Sequence, residues 1–293
     1  MTDALERLVV QLENEPSLVE PNQLRQRMEA LDRLEAYFPC VPQTEFGTES
    51  VEPGFYQRAR AISARLEAVN RELYETIRCE IQRGTRPYTL LRWAPPSLTI
   101  DGGSVSADGM GYDYLDELIA GVFQFEEPGP AHILRDSETV LYQPTPARHI
   151  FSLIGQAALT ASDFLVDLGS GLGHVPLMVS ICTHAHSIGI ELEAAYVERA
   201  RQCAQRLNLK NVSFIQEDAR AADLSIGTVF YLYTPFIGTI LGAVLNRLRR
   251  EAATRPIRIC SYGPCTSVIA LEPWLQAATA SEARRIALFF SRD

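Results

Sequence analysis

The sequence predicts an α/β chain: a doubly wound, mostly parallel sheet in the C-terminal half, preceded by an α-helical domain. Three observations carry this. From about residue 147 short apolar runs alternate with helical stretches, the rhythm of a parallel sheet covered on both faces. The first of those runs feeds a glycine loop that opens a helix, Val166-Asp167-Leu168-Gly169-Ser170-Gly171-Leu172-Gly173-His174. Residues 1–90 read as helices, with apolar residues at steps of three and four.

The chain starts with an acidic, helix-like stretch, MTDALERLVVQLENEP, which lacks the basic segment and apolar block of a secretory signal. Leu24, Met28, Leu31, Leu34 and Phe38 mark one helix. Phe55, Ile62, Leu66, Val69, Leu73, Ile77 and Ile81 mark a longer one ending near Gly84, with spacing close to a coiled-coil seam. The Pro- and Gly-rich FPCVPQTEFGTESVEPG between them is a connector. A helical hairpin over residues 1–90 follows, its seam facing the rest of the chain or a second copy in a homodimer. Residues 91–146 form a connecting and lid region, turn-rich in RWAPPSLTIDGGSVSADGMG and helical in YDYLDELIAGVFQF. Strands are expected at Phe164–Leu168, Ser187–Glu191, Val212–Gln216, Thr228–Tyr233, Ile257–Tyr262 and Arg285–Ser291. Helices are expected at His174–Thr183, Glu193–Asn208 and Gly238–Glu251.

Composition narrows the functional classes. At 293 residues, with 46% hydrophobic and 22% charged, the chain suits about two folding units and is not a disordered protein. No apolar run approaches the roughly 18 residues of a membrane span, so a cytoplasmic protein with no membrane partner is expected. The net charge of −9 is concentrated upstream: residues 91–150 hold 3 basic and 9 acidic groups. Such a surface disfavours phosphate backbones, and no nucleic-acid partner is expected. The one basic candidate, Arg247, Arg249, Arg250, Arg255 and Arg258, also reads as the solvated end of a helix. Lys210 is the sole lysine, so a Walker-type phosphate loop is excluded. Six cysteines form no C-x-x-C pair; Cys260 and Cys265 are close enough in sequence to bridge, which a reducing cytosol disfavours. His184 and His186 lack a third ligand at a metal-like spacing, and no metal is expected.

The glycine loop sits where a doubly wound sheet binds ligands, at the carboxyl end of its first strand. A dinucleotide site would want glycine at position 174, which is His174. Asp167, two residues before the first glycine, would repel a pyrophosphate and welcome a cation. The stretch therefore points away from NAD and towards a positively charged nucleoside.

With its D-x-G-x-G-x-G motif, the chain resembles the class I S-adenosylmethionine-dependent methyltransferases. The ordering Tyr142-Gln143-Pro144-Thr145-Pro146, helix, glycine motif is most similar to the SET-less histone lysine methyltransferases and to bacterial relatives of unassigned substrate. The resemblance covers about residues 140–293. It implies a seven-stranded Rossmann-like sheet, S-adenosylmethionine as cofactor, and residues 147–293 as the cofactor-binding catalytic domain. It further implies that Asp167, Gly169, Ser170, Gly171 and Gly173 hold the amino acid end of the cofactor. Glu191 would take the ribose, Asp218 with Ala219 the adenine, and Tyr142 and Thr145 would close over the methionine end. Tyr231, Tyr233, Thr234, Pro235 and Phe236 would line the mouth where methyl transfer occurs. Where an amino-methylating relative has Asn or Asp before its prolines, this chain has Tyr233-Thr234-Pro235-Phe236, which argues against a nucleobase amine as acceptor.

The implied activity is methyl transfer by in-line displacement to a nitrogen or oxygen nucleophile of a small molecule or protein, with His149 and His174 as candidate bases. Asp108, Asp113, Asp116, Glu117, Glu126 and Glu127 would favour a cationic substrate if they faced the pocket; otherwise they form a solvated helix face. Two other classes stay open: a noncatalytic S-adenosylmethionine-binding scaffold that recruits a partner through its helices, and an NAD-dependent oxidoreductase.

Overall fold

The computed structural model describes residues 2–38, 53–84, 88–94, 111–126, 138–278 and 281–292. Cys40, Asp108, Glu127, most of the 38–54 connector and most of the turn-rich 92–111 stretch lie outside them. The chain divides into two compact units, Met1–Ile77 and Arg78–Asp293.

The first unit holds α1 (Thr2–Glu13), two single-turn 3-10 helices, α2 (Leu24–Glu35) and most of α3 (Pro53–Gln82). Leu5, Leu8, Val9 and Leu12 make the buried stripe of α1 and meet Ala30, Leu34, Ala59 and Leu66 in one core. Within it lies a fully buried guanidinium. Arg27 Nε donates to Asn70 Oδ1 (2.6 Å), and Nη1 donates to the carbonyls of Leu18 (3.0 Å) and Glu20 (2.5 Å). Those bonds offset part of the cost of burying a charge, and Nη2 is left buried without a partner.

The second unit contains α4 (Tyr88–Leu91), α5 (Tyr114–Phe123), α6 (Ala147–Ala157) and the sheet. One carboxylate serves both α5 and α6. Asp116 Oδ2 accepts from Asp113 N (2.7 Å) in a capping box at the start of α5, and Oδ1 accepts from Ala147 N (2.7 Å) at the start of α6. Asp113 also pairs with Arg148, and Glu126 pairs with Arg199. The described members of the acidic segment are thus spent on capping, pairing or solvent, and none faces the cavity described below.

The strands are β1 (Phe164–Leu168), β2 (His186–Glu191), β3 (Val212–Gln216), β4 (Val229–Tyr233), β5 (Arg258–Tyr262), β6 (Leu275–Ala277) and β7 (Ala287–Ser291). They form one sheet in the order β3-β2-β1-β4-β5-β7-β6. Pairing is parallel from β3 to β5, while β7 runs antiparallel to both β5 and β6. The expected seven-stranded, doubly wound sheet is present. Helices α7 (His174–Cys182), α8 (Ala194–Arg206), α9 (Gly238–Ala252) and the short α10 (Cys265–Ile269) connect the strands. Every residue of α7 from Val175 to Cys182 is buried, which is why it reads apolar all round. On the α9 side, Val166, Leu168, Phe230 and Leu232 pack with Ile240, Val244, Leu245 and Leu248.

Of the basic candidate, Arg249 and Arg250 are exposed in the last turn of α9, and the other three arginines are committed to the fold. Arg247 donates to the carbonyls of Arg220 and Ala222, and Arg255 to those of Leu224 and Gly227. Arg258 donates to Ala157 O and pairs with Asp163. Cys260 and Cys265 are both free thiols, so the bridge is not made. Among the described residues there is no metal-ligand cluster, and no helix is long and apolar enough to cross a membrane.

Candidate functional site

Because β1 has β2 on one side and β4 on the other, the chain leaves it at the topological switch point, and a crevice opens above its carboxyl end. A cavity of about 870 Å³ lies there. The turn after β1 is made by three left-handed glycines, Gly169 (φ +85°), Gly171 (+52°) and Gly173 (+81°). Each also meets a neighbour where a side chain would stand. A Cβ on Gly169 would lie 2.3 Å from Pro235 Cβ, one on Gly171 1.9 Å from Tyr142 Cε2, and one on Gly173 2.4 Å from Phe214 Cε1. The glycines thus permit the turn and let β4's loop and the Tyr142 ring close onto it.

Asp167 ends β1 on the cavity side. It is 4% exposed, and among the described residues nothing donates to its carboxylate. Burial first, and then the charge of Glu191, push its pKa well above the ordinary carboxylate range. Ser170 Oγ, also in the cavity wall, is buried without a hydrogen-bond partner. An uncompensated carboxylate, with an orphaned hydroxyl three residues further along the same loop, fits a ligand carrying a cation and a polar group. Glu191 is oriented by its own chain: Gly171 N donates to Oε2 (2.8 Å) and Glu193 N to Oε1 (2.9 Å). A carboxylate oxygen has two lone pairs, so both oxygens retain capacity for a diol. Asp218 accepts from Arg220 on both oxygens: Oδ2 takes Nη2 (2.6 Å) and Nε (3.0 Å), and Oδ1 takes Nε (3.0 Å) and the Arg220 backbone N–H (2.8 Å).

A strap of residues 138–145 crosses the crevice. Thr139 bridges Phe236, Val140 N donates to Pro235 O (3.1 Å), and Glu138 accepts from Ile240 N (3.0 Å) at the start of α9. Tyr142 then seats its ring on Gly171 and its hydroxyl 3.1 Å from His174 Nδ1. Thr145 Oγ1 meets the buried Tyr231 hydroxyl at 3.0 Å. Burial drives His174 down to about 4, so the imidazole is neutral at neutral pH and acts as an anchor for the strap. His149 is likewise pushed down to about 4; its ring packs 4.3 Å from Tyr262, and it does not line the cavity.

Of the site residues the sequence picked out, Tyr142, Thr145, Asp167, Gly169, Ser170, Glu191, Asp218, Ala219, Tyr231, Tyr233, Thr234, Pro235 and Phe236 line this one cavity. Gly171 and Gly173 do not; they shape the loop, with Gly173 capping α7. Thr234 holds a left-handed conformation (φ +39°) with Oγ1 donating to Tyr262 O and accepting from Cys265 N. Sequence reasoning missed Tyr196, Tyr262 and Arg284 as wall residues. Tyr262 was legible only as the last residue of a strand neighbouring β4, and nothing local marks Arg284.

Residues 160–231 match the model of a family described as a methyltransferase domain. Among solved structures, an RNA methyltransferase from Salinibacter ruber, in complex with S-adenosyl-L-homocysteine, is 23% identical over 51% of this chain and 92% of its own, at a TM-score of 0.40. A putative methyltransferase from Escherichia coli is 15% identical over 50% and 86%, with a TM-score of 0.42. A Pyrococcus abyssi tRNA (uracil-54, C5)-methyltransferase is 15% identical over 51% and 39%, at 0.38. No curated protein sequence matches the chain.

Proposed function

We propose that the cavity above β1, in the unit whose residues 160–231 match the methyltransferase-domain model, holds S-adenosylmethionine for methyl transfer to a nitrogen or oxygen nucleophile of a small molecule or protein. The observation that carries this reading is the buried, unpaired carboxylate of Asp167 in the cavity wall, followed in the same loop by Ser170, whose buried hydroxyl has no partner. When bound, the cofactor supplies a methyl group on a positively charged sulfur, open to in-line attack. The chain's own task is to hold, orient and exclude water.

Asp167 accepts from the cofactor's ammonium group, which answers its buried charge, and Ser170 Oγ bonds the same end. Glu191, fixed by two backbone N–H groups, accepts from the ribose hydroxyls. Asp218 marks the adenine end, and the adenine amine would take the place of one of the Arg220 bonds that now fill its carboxylate. Tyr142 closes the strap over the amino acid end, and Thr145 braces it through Tyr231. Phe236, 7% exposed, and Pro235 keep the reacting end dry, while Tyr233 and Thr234 meet the acceptor. Calorimetry with S-adenosylmethionine, S-adenosylhomocysteine and NAD tests the reading. The first two are expected to bind and NAD is not; NAD binding alone would reverse it. Release of S-adenosylhomocysteine in the presence of a cell extract is then the expected sign of turnover.

A further inference from the structure

The charges around the cavity are segregated. Its carboxylates, Asp167, Glu191, Glu193, Glu217 and Asp218, all end or follow β1, β2 or β3. The end beyond β4 and β5, walled by Tyr233, Thr234, Tyr262 and Pro264, has none among the described residues. Its one charge is the exposed guanidinium of Arg284, which makes no hydrogen bond or ion pair with a described residue.

Tyr233 and Tyr262 stand with ring centroids 4.6 Å apart, and neither hydroxyl bonds to a described residue. Burial raises both phenols, Tyr233 to about 12, so both stay protonated at neutral pH and are available as donors. Among the described residues nothing nearby is free to act as a base. Thr234 Oγ1 is committed to Tyr262 O and Cys265 N, and Thr145 and Tyr231 are bonded to each other. His149 is outside the cavity, and His174 is engaged by Tyr142. An ammonium or a neutral alcohol has a proton to shed and finds no group here to take it. A carboxylate has none to shed, and it suits a surface of donors around a guanidinium.

Resting on the cofactor reading above, we infer that this end of the cavity is an acceptor subsite for a flat carboxylate, and that the methyl group leaves as an ester. A lone pair of the carboxylate oxygen forms the O–CH3 bond. The S–CH3 bond breaks and its electron pair stays on sulfur. Anion and sulfonium become neutral ester and thioether, and no proton moves. Arg284 and the two phenols hold one carboxylate oxygen and leave the other to attack, while the Tyr233 ring, less buried than Tyr262, lies against the planar body.

The test is calorimetry on the full chain loaded with S-adenosylhomocysteine, titrated with benzoate, benzamide and benzylamine. Benzoate is expected to bind at least tenfold tighter than either of the others. Arg284→Glu, at an exposed position, is expected to keep the melting temperature, weaken benzoate at least tenfold and leave benzamide within twofold. Tyr233→Phe with Tyr262→Phe is expected to lower the benzoate preference as well. Equal or tighter binding of the amine or amide, no binding of benzoate to the loaded protein, or an unchanged benzoate affinity in Arg284→Glu would each overturn the inference. A chain that fails to bind S-adenosylhomocysteine at all overturns the cofactor reading, and the inference with it.

Discussion

Replacing Asp167 with asparagine keeps the shape of the side chain and removes its charge. The carboxylate is buried and unpaired, and burial and Glu191 hold its folded pKa well above the value in an unfolded chain. A raised carboxylate pKa means that its stabilising, protonated form is fully present below about pH 4 and is lost as pH rises through the folded value. At neutral pH the group therefore opposes folding until a cation arrives. The amide is left unpaired too, so the variant recovers only the excess cost of a buried charge over a buried neutral polar group, about 1–3 kcal/mol. A domain of roughly 150–250 residues shifts by about 2–4 °C per kcal/mol, so the ligand-free variant is expected to melt about 2–12 °C higher. Hydrogen bonds to charged groups contribute about 1.5–3 kcal/mol, so cofactor affinity is expected to fall about 10- to 100-fold. Differential scanning fluorimetry reads the first effect and calorimetry the second. The ammonium group is common to S-adenosylmethionine and S-adenosylhomocysteine, so both should lose affinity equally. A lower melting temperature, or S-adenosylmethionine affinity within twofold of wild type, would refute the reasoning.

Gly171→Ala places a Cβ 1.9 Å from the Tyr142 ring at a left-handed position, where an L side chain costs roughly 1–2 kcal/mol. Cofactor affinity should drop at least tenfold by calorimetry, and adding Tyr142→Ala should weaken it less than the two single losses multiplied together. Asp163→Asn loosens a knot in which Asp163 accepts from Thr160 N (2.8 Å) and Thr228 Oγ1 (2.9 Å) and pairs with Arg258. A loss of about 2–3 kcal/mol in urea unfolding is expected, below the full cost of breaking a buried pair because both side chains keep some water. Burial raises the Asp163 pKa, but bonds from Thr160, Thr228 and Arg258 outweigh it and the net shift is downward. Its stabilisation is therefore present above about pH 4 and lost as pH falls through the folded value, so wild type and variant should converge in acid. Asp116→Ala removes the carboxylate shared by the starts of α5 and α6, an expected loss of about 1–4 kcal/mol in the same assay.

The alternation of strands and helices after residue 147 was legible because β1, β4 and β5 are nearly continuous buried runs and α8 and α9 carry clean apolar stripes. Strand β6 was not, since only Leu275 of its three residues is buried and its pairing is antiparallel at an edge. The glycine loop announced a ligand site, and the order of Asp167, Glu191 and Asp218 announced its walls. The reason Gly171 must be glycine lies 29 positions upstream, in the Tyr142 ring, a non-local contact that no spacing reveals. Charge was the least legible property. The acidic segment suggested a cationic acceptor, yet Asp113 and Asp116 cap helices, and the acceptor end of the cavity carries Arg284 instead. The arginine-rich composition has a structural use as well: Arg201, Arg206, Arg247 and Arg255 each donate to backbone carbonyls, Arg206 to Phe123 and Gln124 and Arg255 to Leu224 and Gly227 with a single Nη2 each. A planar fork with five donors does this better than an ammonium.

A crystal structure of the chain grown with S-adenosylhomocysteine bears most directly on whether the crest of β1 receives a charged nucleoside. The ligand's amino group is expected on Asp167 with Ser170 Oγ beside it, and its ribose hydroxyls on Glu191. A molecule seated elsewhere, or one that leaves both Asp167 and Ser170 without a contact, would contradict the account.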